Sequence, residues 1–265
     1  MHPSFKEAGE DPFGNGYGLI DPHIALKVAQ DAKNIANRGL VQLCTYSDAW
    51  SPLTQQYNLG RNCLEAVLNE PGWSVRVLSK NAAVARDFDV IARHRERVVV
   101  GISMTAPAKG KGVIKVIEPN ASLITERMDA MLKAHDLGLR TYAMLCPLLP
   151  GIAADLGAIT ELVDFAIYTG AEEIFAEPVN ARGPALKHTQ EALETAGFAE
   201  HALEIQRIRN RSNWGGYVVE LAKNLQQVLR ARGALSRLRF LLYQSQLTPA
   251  DKAAIAQDPT GIIWL

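Results

Sequence analysis

Strand-like and helix-like segments alternate along most of this chain, and their order limits the folds that it can adopt. From Asp21 to about Gly183, short apolar runs alternate with longer stretches whose apolar positions recur at helical spacing. Parallel strands need crossover connections of about this length, so the pattern predicts a parallel sheet with right-handed crossovers. The strand runs are continuously apolar or β-branched, which is typical of strands covered on both faces.

Five strands are predicted before Pro178 and a sixth late in the chain, against the eight of a complete (β/α)₈ barrel. We therefore predict an α/β fold: a partial (β/α) TIM-type barrel of parallel strands with a helical C-terminal extension. The predicted units are an irregular N-terminal segment (1–20), the partial barrel (21–183) and a mostly helical extension packed on it (184–265). The predicted strands are 40–44, 75–78, 98–103, 140–146, 173–176 and 238–243, and the predicted helices 21–39, 59–68, 82–94, 122–137, 156–169, 184–197, 200–209 and 214–232.

The composition excludes several classes of protein. The 28 basic and 28 acidic residues give no net charge, so the basic bias of a dedicated nucleic-acid binder is missing and nucleic acid is a possible but weakly supported partner. The three cysteines are too far apart for a zinc knuckle or an iron–sulfur loop, so we expect no metal site and a reduced, cytoplasmic setting. No apolar run approaches the ~18 residues of a membrane span.

Polar side chains follow four of the predicted strands. Because the carboxyl ends of parallel strands meet at one edge, where ligands bind in such folds, these residues are candidates for a common site. The four polar endings are Cys44-Thr45-Tyr46-Ser47-Asp48, Ser79-Lys80-Asn81, Ser103-Met104-Thr105 and Glu177-Pro178-Val179-Asn180.

The order of these endings resembles the radical S-adenosylmethionine (radical SAM) enzymes of the spore photoproduct lyase and DNA repair photolyase-like group. The resemblance covers residues 21–183, but the CxxxCxxC loop that holds a [4Fe–4S] cluster in this group is absent from the sequence. The matching residues are Cys44 to Asp48, Pro52, Arg61-Asn62-Cys63-Leu64-Glu65, Ser79-Lys80, Ser103, Glu118-Pro119, Arg127 and Pro147-Leu148-Leu149-Pro150-Gly151.

The resemblance implies S-adenosylmethionine as cofactor, with its methionine and ribose parts contacted by Ser47, Lys80 and Ser103. It implies that Cys44 returns a hydrogen atom to a product radical, although a buried cysteine can also serve as a small apolar packing residue.

Four further residues are candidates for binding a small-molecule or nucleotide-like substrate. Asp48 and Glu118 belong to the matched motifs, and Glu177 and Asn180 follow a late strand. For Glu118, a role as a helix-preceding carboxylate that interacts favourably with the helix dipole is an alternative.

Three hypotheses about function follow. In the first, the chain is the body of a lyase-like radical SAM enzyme that lacks its N-terminal cluster-binding segment, and it is inactive alone. An in-frame CxxxCxxC upstream of the start codon would support this truncation. In the second, it is a cluster-free barrel that binds a nucleotide-like ligand or a partner. In the third, Lys80 is the amine nucleophile of a hydrolase or aldolase. The sequence leaves the substrate and the oligomeric state open.

Overall fold

A single curled parallel sheet organises the protein. In a computed structural model, which describes residues 20–44, 47–181 and 184–265, seven strands pair in parallel in their sequence order. The first and last strands do not pair with each other, so the sheet is an open partial barrel, as predicted. The strands are β1 (Leu40–Leu43), β2 (Ser74–Ser79), β3 (Val98–Ser103), β4 (Thr141–Leu148), β5 (Ile174–Pro178), β6 (Leu238–Leu242) and β7 (Ile262–Trp264).

Helices connect the strands and continue after β5. Short 3₁₀ turns occupy Ala82–Asp87, Ala108–Gly110, Leu235–Arg237 and Gln244–Gln246. The α-helices are α1 (Ile24–Asn34), α2 (Pro52–Gln55), α3 (Leu59–Leu68), α4 (Phe88–Arg93), α5 (Lys111–Ile117), α6 (Ile124–Asp136), α7 (Leu156–Tyr168), α8 (Ala185–Thr195), α9 (Ala199–Arg207), α10 (Arg211–Ala231) and α11 (Pro249–Ala256).

The sequence pattern missed or misplaced several elements. β7 and the short helices α2, α5 and α11 were not predicted, because runs of three to eight residues carry little periodicity. The predicted helix 82–94 is a 3₁₀ turn followed by α4. The predicted N-cap Asp21 lies before the helix, which begins at Ile24, and its carboxylate accepts from the His23 backbone N–H at 2.9 Å.

The two faces of the sheet differ in burial. In β2, Val75, Val77 and Ser79 are buried, whereas Arg76 and Leu78 between them are only half-buried. Val75 and Val77 belong to the main hydrophobic core, and the half-buried set faces the concave interior of the partial barrel. The concave face is therefore where polar side chains remain accessible.

Charged and aromatic side chains fill the floor of this concave face. The Arg76 guanidinium carbon lies 5.1 Å from the ring centre of Tyr142 and 4.8 Å from that of Phe175. Glu173 accepts from both Arg76 Nη2, at 2.6 Å, and Arg239 Nε, at 2.9 Å. These residues lie near the amino ends of the strands, so the carboxyl ends stay open on the other side of this layer.

The long helix α10 holds the carboxyl ends of β4 and β5. Trp214 Nε1 donates to the Val179 carbonyl at 2.8 Å. The Tyr217 hydroxyl donates to the Leu148 carbonyl and accepts from the Val179 N–H at 3.3 Å. Both side chains are buried, so α10 fixes the edge of the sheet where the polar strand ends lie.

Candidate functional site

A cleft of about 560 Å³ opens at the carboxyl ends of the first five strands. Parallel strands in consecutive order bring their carboxyl ends to one edge, so residues far apart in sequence meet there. Asn180 does not line the cleft; it is exposed, and its Oδ1 accepts from Gln246 Nε2 at 3.1 Å. The other seven predicted site residues all line it: Cys44, Ser47, Asp48, Lys80, Ser103, Glu118 and Glu177.

Asp48 holds the cleft wall together through its carboxylate. Its oxygens accept from Ser79 Oγ at 2.9 Å, from the Lys80 N–H at 2.8 Å and from Asn81 Nδ2 at 2.8 Å. A further bond comes from the Trp50 N–H at 2.9 Å. Because a carboxylate offers about four acceptor sites, these donors saturate it. Asp48 therefore positions the β1 and β2 ends, and the predicted direct contact with substrate does not fit its bonding.

Glu118 lies between two cations. Lys80 Nζ reaches one of its oxygens at 2.5 Å and Arg127 Nη2 the other at 2.6 Å. Burial by itself would raise the pKa of Glu118, but the charges and hydrogen bonds of Lys80 and Arg127 outweigh it and hold that pKa below its usual range. The carboxylate is thus ionised, and two positive charges share one negative charge at this end of the cleft.

Arg127, on helix α6, connects Glu118 to the backbone around the cleft. Its side chain is fully buried and donates through Nη1 to the Ser103 carbonyl at 3.1 Å and through Nε to the Ser122 carbonyl at 2.9 Å. The guanidinium therefore links the end of β3 to Glu118. The alternative assignment of Glu118 as a helix-preceding carboxylate fails, because Glu118 follows α5 and makes a buried ion pair.

The two predicted serines occupy different positions in the cleft. Ser103 ends β3 and is 3% exposed, whereas Ser47 is exposed. Thr45 and Tyr46, which belong to the same sequence motif as Ser47, lie outside the described residues, as do residues 1–19, Arg182 and Gly183.

Cys44 stands where β1 ends and the chain turns. Its backbone has φ of 70°, the left-handed region that side chains other than glycine seldom adopt. The sulfur accepts from the Ala49 N–H at 3.2 Å. Burial is the main cause that raises the pKa of this thiol to about 12, so Cys44 is a protonated thiol near neutral pH.

Cys146 is a cleft residue that its sequence context did not mark as a site residue. Its thiol lines the cleft and donates to Glu177 Oε2 at 3.2 Å. Burial and then the Glu177 charge raise the pKa of Cys146 far above its usual range. The missed signal was the two-residue period of β4, because Tyr142, Met144 and Cys146 share the concave face.

The residues present do not fit an iron–sulfur cluster. Within the described ranges, no group of three or more His, Cys, Asp or Glu side chains is placed to hold a metal ion. Cys44, Cys63 and Cys146 are too far apart in sequence to supply a CxxxCxxC loop.

Among the helices described here, none combines the length and apolar character that a membrane crossing requires.

Comparison with known proteins gives distant likenesses. No family model matches the chain. It is 26% identical over 161 residues to an uncharacterized protein of Acidianus two-tailed virus, covering 58% of this chain and 50% of that protein. It is 25% identical over 120 residues to one of Methanocaldococcus jannaschii, covering 45% and 44%. The chain therefore spans about half the length of these relatives.

Solved structures with a similar backbone trace include variants of a spore photoproduct lyase and an HMG-CoA lyase. A spore photoproduct lyase variant matches with a TM-score of 0.49 and 16% identity, covering 64% of this chain and 50% of that one. A second variant, with bound AdoMet and dinucleoside spore photoproduct, matches with a TM-score of 0.48. The HMG-CoA lyase from Brucella melitensis matches with a TM-score of 0.49 and 10% identity, covering 93% and 74%.

Proposed function

We propose that the chain is a radical SAM-type partial barrel whose cleft binds S-adenosylmethionine or a closely related adenosyl ligand. One observation carries this proposal: Ser47, Lys80 and Ser103 line one cleft together. Their sequence motifs match the strand endings that contact S-adenosylmethionine in the group that the sequence resembles.

The size and polarity of the cleft suit such a ligand. Its volume of about 560 Å³ falls within the range of small-molecule sites in proteins. Lys80 and Arg127 share the single carboxylate of Glu118, which leaves one positive charge in excess. Lys80, whose side chain is 36% exposed, is the accessible member of the pair. A ligand carboxylate therefore has a cation to meet at this end of the cleft.

Ligand binding is the part of the function that these residues support. In the group that the sequence resembles, a [4Fe–4S] cluster supplies the electron that begins radical chemistry, and no three cysteines here form its loop. A cluster-free protein that binds a nucleotide-like ligand or a partner is the second candidate. It predicts that the same cleft is the binding site.

The hypothesis of an amine nucleophile is disfavoured. A lysine attacks a carbonyl group only as the neutral amine, which burial among apolar or cationic groups promotes. Lys80 Nζ instead lies 2.5 Å from a Glu118 oxygen, and its side chain is 36% exposed, so it lacks the apolar or cationic enclosure of such a nucleophile.

Calorimetric titration tests the proposed ligand. We expect the purified protein to bind S-adenosylmethionine, and Lys80→Ala to weaken that affinity about tenfold because a ligand carboxylate loses its cation. Lys133→Ala, which removes an exposed lysine on α6, is the matched control and should leave the affinity unchanged. Failure of the unmodified protein to bind S-adenosylmethionine, S-adenosylhomocysteine and adenosine would refute the proposal.

A further inference from the structure

We propose that Glu177 makes this cleft selective for cationic ligands, so that a ligand bearing a sulfonium or ammonium charge binds more tightly than its neutral counterpart. The inference rests on the proposed ligand-binding role of the same cleft. It assigns to Glu177 a specificity role that the Lys80 end of the cleft cannot supply.

Glu177 is the carboxylate of the cleft that has no countercharge among the residues that the structure describes. It projects from β5 into the cleft, where its Oε2 accepts from the Cys146 thiol at 3.2 Å. Within residues 20–44, 47–181 and 184–265, Cys146 is its one hydrogen-bond partner, and no lysine or arginine forms an ion pair with it. A half-buried carboxylate in this state gains most from a cation brought by a ligand.

The other two carboxylates of the cleft already have their partners. Asp48 is saturated by protein donors, and Glu118 pairs with Lys80 and Arg127. With all of these groups ionised, three carboxylates face two cations, which gives the described part of the site one net negative charge. A ligand with one net positive charge neutralises this site.

Cys146, which donates a hydrogen bond to Glu177, adds no charge of its own at this end of the cleft. Burial and the neighbouring carboxylate keep its sulfur protonated, so the pair carries only the charge of Glu177. Lys80, Glu118, Cys146 and Glu177 all line the same cleft of about 560 Å³. One small ligand can therefore present a carboxylate to Lys80 and a cation to Glu177.

A comparison of two adenosyl ligands measures how much the sulfonium charge contributes to binding. S-adenosylmethionine carries a sulfonium, an ammonium and a carboxylate, for a net charge of plus one. S-adenosylhomocysteine lacks the sulfonium methyl group and has no net charge. We expect calorimetry to show tighter binding of S-adenosylmethionine, and Glu177→Gln to lower the ratio of the two affinities about tenfold. Glu220→Gln, at an exposed position of α10, is the matched control and should keep the ratio.

A second experiment measures the charge preference without any adenosyl ligand. The protein is treated with a cationic and an anionic methanethiosulfonate of similar size, and modification of Cys146 is followed by peptide mass spectrometry. The Cys146 thiolate attacks the sulfenyl sulfur of the reagent, a mixed disulfide forms, methanesulfinate leaves and the thiol proton goes to water. The ratio of the two rates cancels any change in the thiolate fraction of Cys146.

We expect the unmodified protein to react several-fold faster with the cationic reagent, and both Glu177→Gln and high salt to remove this preference. Absence of the preference in the unmodified protein would overturn the inference even if the variant did not fold. Equal weakening of both adenosyl ligands by Glu177→Gln, or no change in either ratio, would also overturn it.

The two proposals fail in different ways. If no adenosyl ligand binds but the reagent preference depends on Glu177, the proposed function is wrong and the cation selectivity stands. If S-adenosylmethionine binds through Lys80 and neither ratio responds to Glu177, the proposed function stands and the selectivity is wrong.

Discussion

Glu118 is the residue at which the electrostatics of the site and the stability of the fold meet. It is 11% exposed and pairs with an accessible lysine on one side and a fully buried arginine on the other. Removing the carboxylate leaves Arg127 charged and buried without its ion-pair partner, although two backbone carbonyls still accept from it. The pair is therefore a structural support for the cleft as well as part of its lining.

Because the pKa of Glu118 is lower in the folded protein than its usual value, its ionised form contributes stability above the unfolded pKa of about 4.3. That contribution is lost as the pH falls through the folded-state pKa. We expect Glu118→Gln to lower the free energy of unfolding by about 3 kcal/mol at pH 7 and by much less near pH 3. Urea denaturation at several pH values measures this, with Glu220→Gln as control. An equal loss at both pH values would contradict the role of the charge.

At the scale of the elements, the packing of the Tyr142 ring between β3 and β4 requires a glycine at position 101. Gly101 lies opposite Tyr142 in the register of the two strands, and a Cβ atom at position 101 would overlap the Tyr142 ring. The ring is held in place by the guanidinium of Arg76 and by Phe175. The floor of the concave face thus has room for one large side chain at this pair.

We expect Gly101→Ala to lower the free energy of unfolding by about 2 kcal/mol, because the Tyr142 ring must shift. In the Tyr142→Ala background the same change should cost clearly less, since the ring is gone, and a double-mutant cycle by urea denaturation measures the difference. Gly216→Ala in α10, where nothing lies within 4 Å of the added Cβ, is the matched control. Costs that add without coupling would contradict the assigned overlap.

On the scale of the whole molecule, residues 184–265 help to complete the sheet. β6 pairs in parallel with β5, and β7 with β6. Trp214 and Tyr217 of α10 bind the backbone that follows β4 and β5. The C-terminal part therefore covers an edge of the sheet and buries apolar surface that the preceding residues share with it.

A chain that ends at residue 183 should consequently fail to fold cooperatively. It would expose the edge of β5 and lose the buried contacts of α10, so we expect aggregation, rapid proteolysis and no cooperative urea transition. Limited proteolysis and circular dichroism of the 1–183 fragment beside the full chain provide the test. A soluble fragment with a cooperative transition would instead support residues 21–183 as an independent domain, the division that the sequence predicts.

Local signals in the sequence were sufficient for the elements with a strong period. The strand 98–103 and the helix 59–68 were predicted with their observed bounds, because burial on both faces and a helical repeat each leave a clear pattern. The polar strand ends also predicted a common site, and seven of eight candidates line one cleft. Asn180 does not, since no local pattern tells which residues beyond a strand end turn toward the cleft.

By itself, then, the sequence determined the parallel α/β architecture and the edge of the sheet at which polar groups collect, because both follow from periodicity and strand direction. Only the tertiary structure decided how those groups are used. It saturated Asp48 with internal donors, paired Glu118 with Lys80 and Arg127, and placed Cys146 beside Glu177. Apart from the Trp50 bond to Asp48, these roles depend on contacts between residues 9 to 38 positions apart, which the composition and spacing of a single segment do not encode.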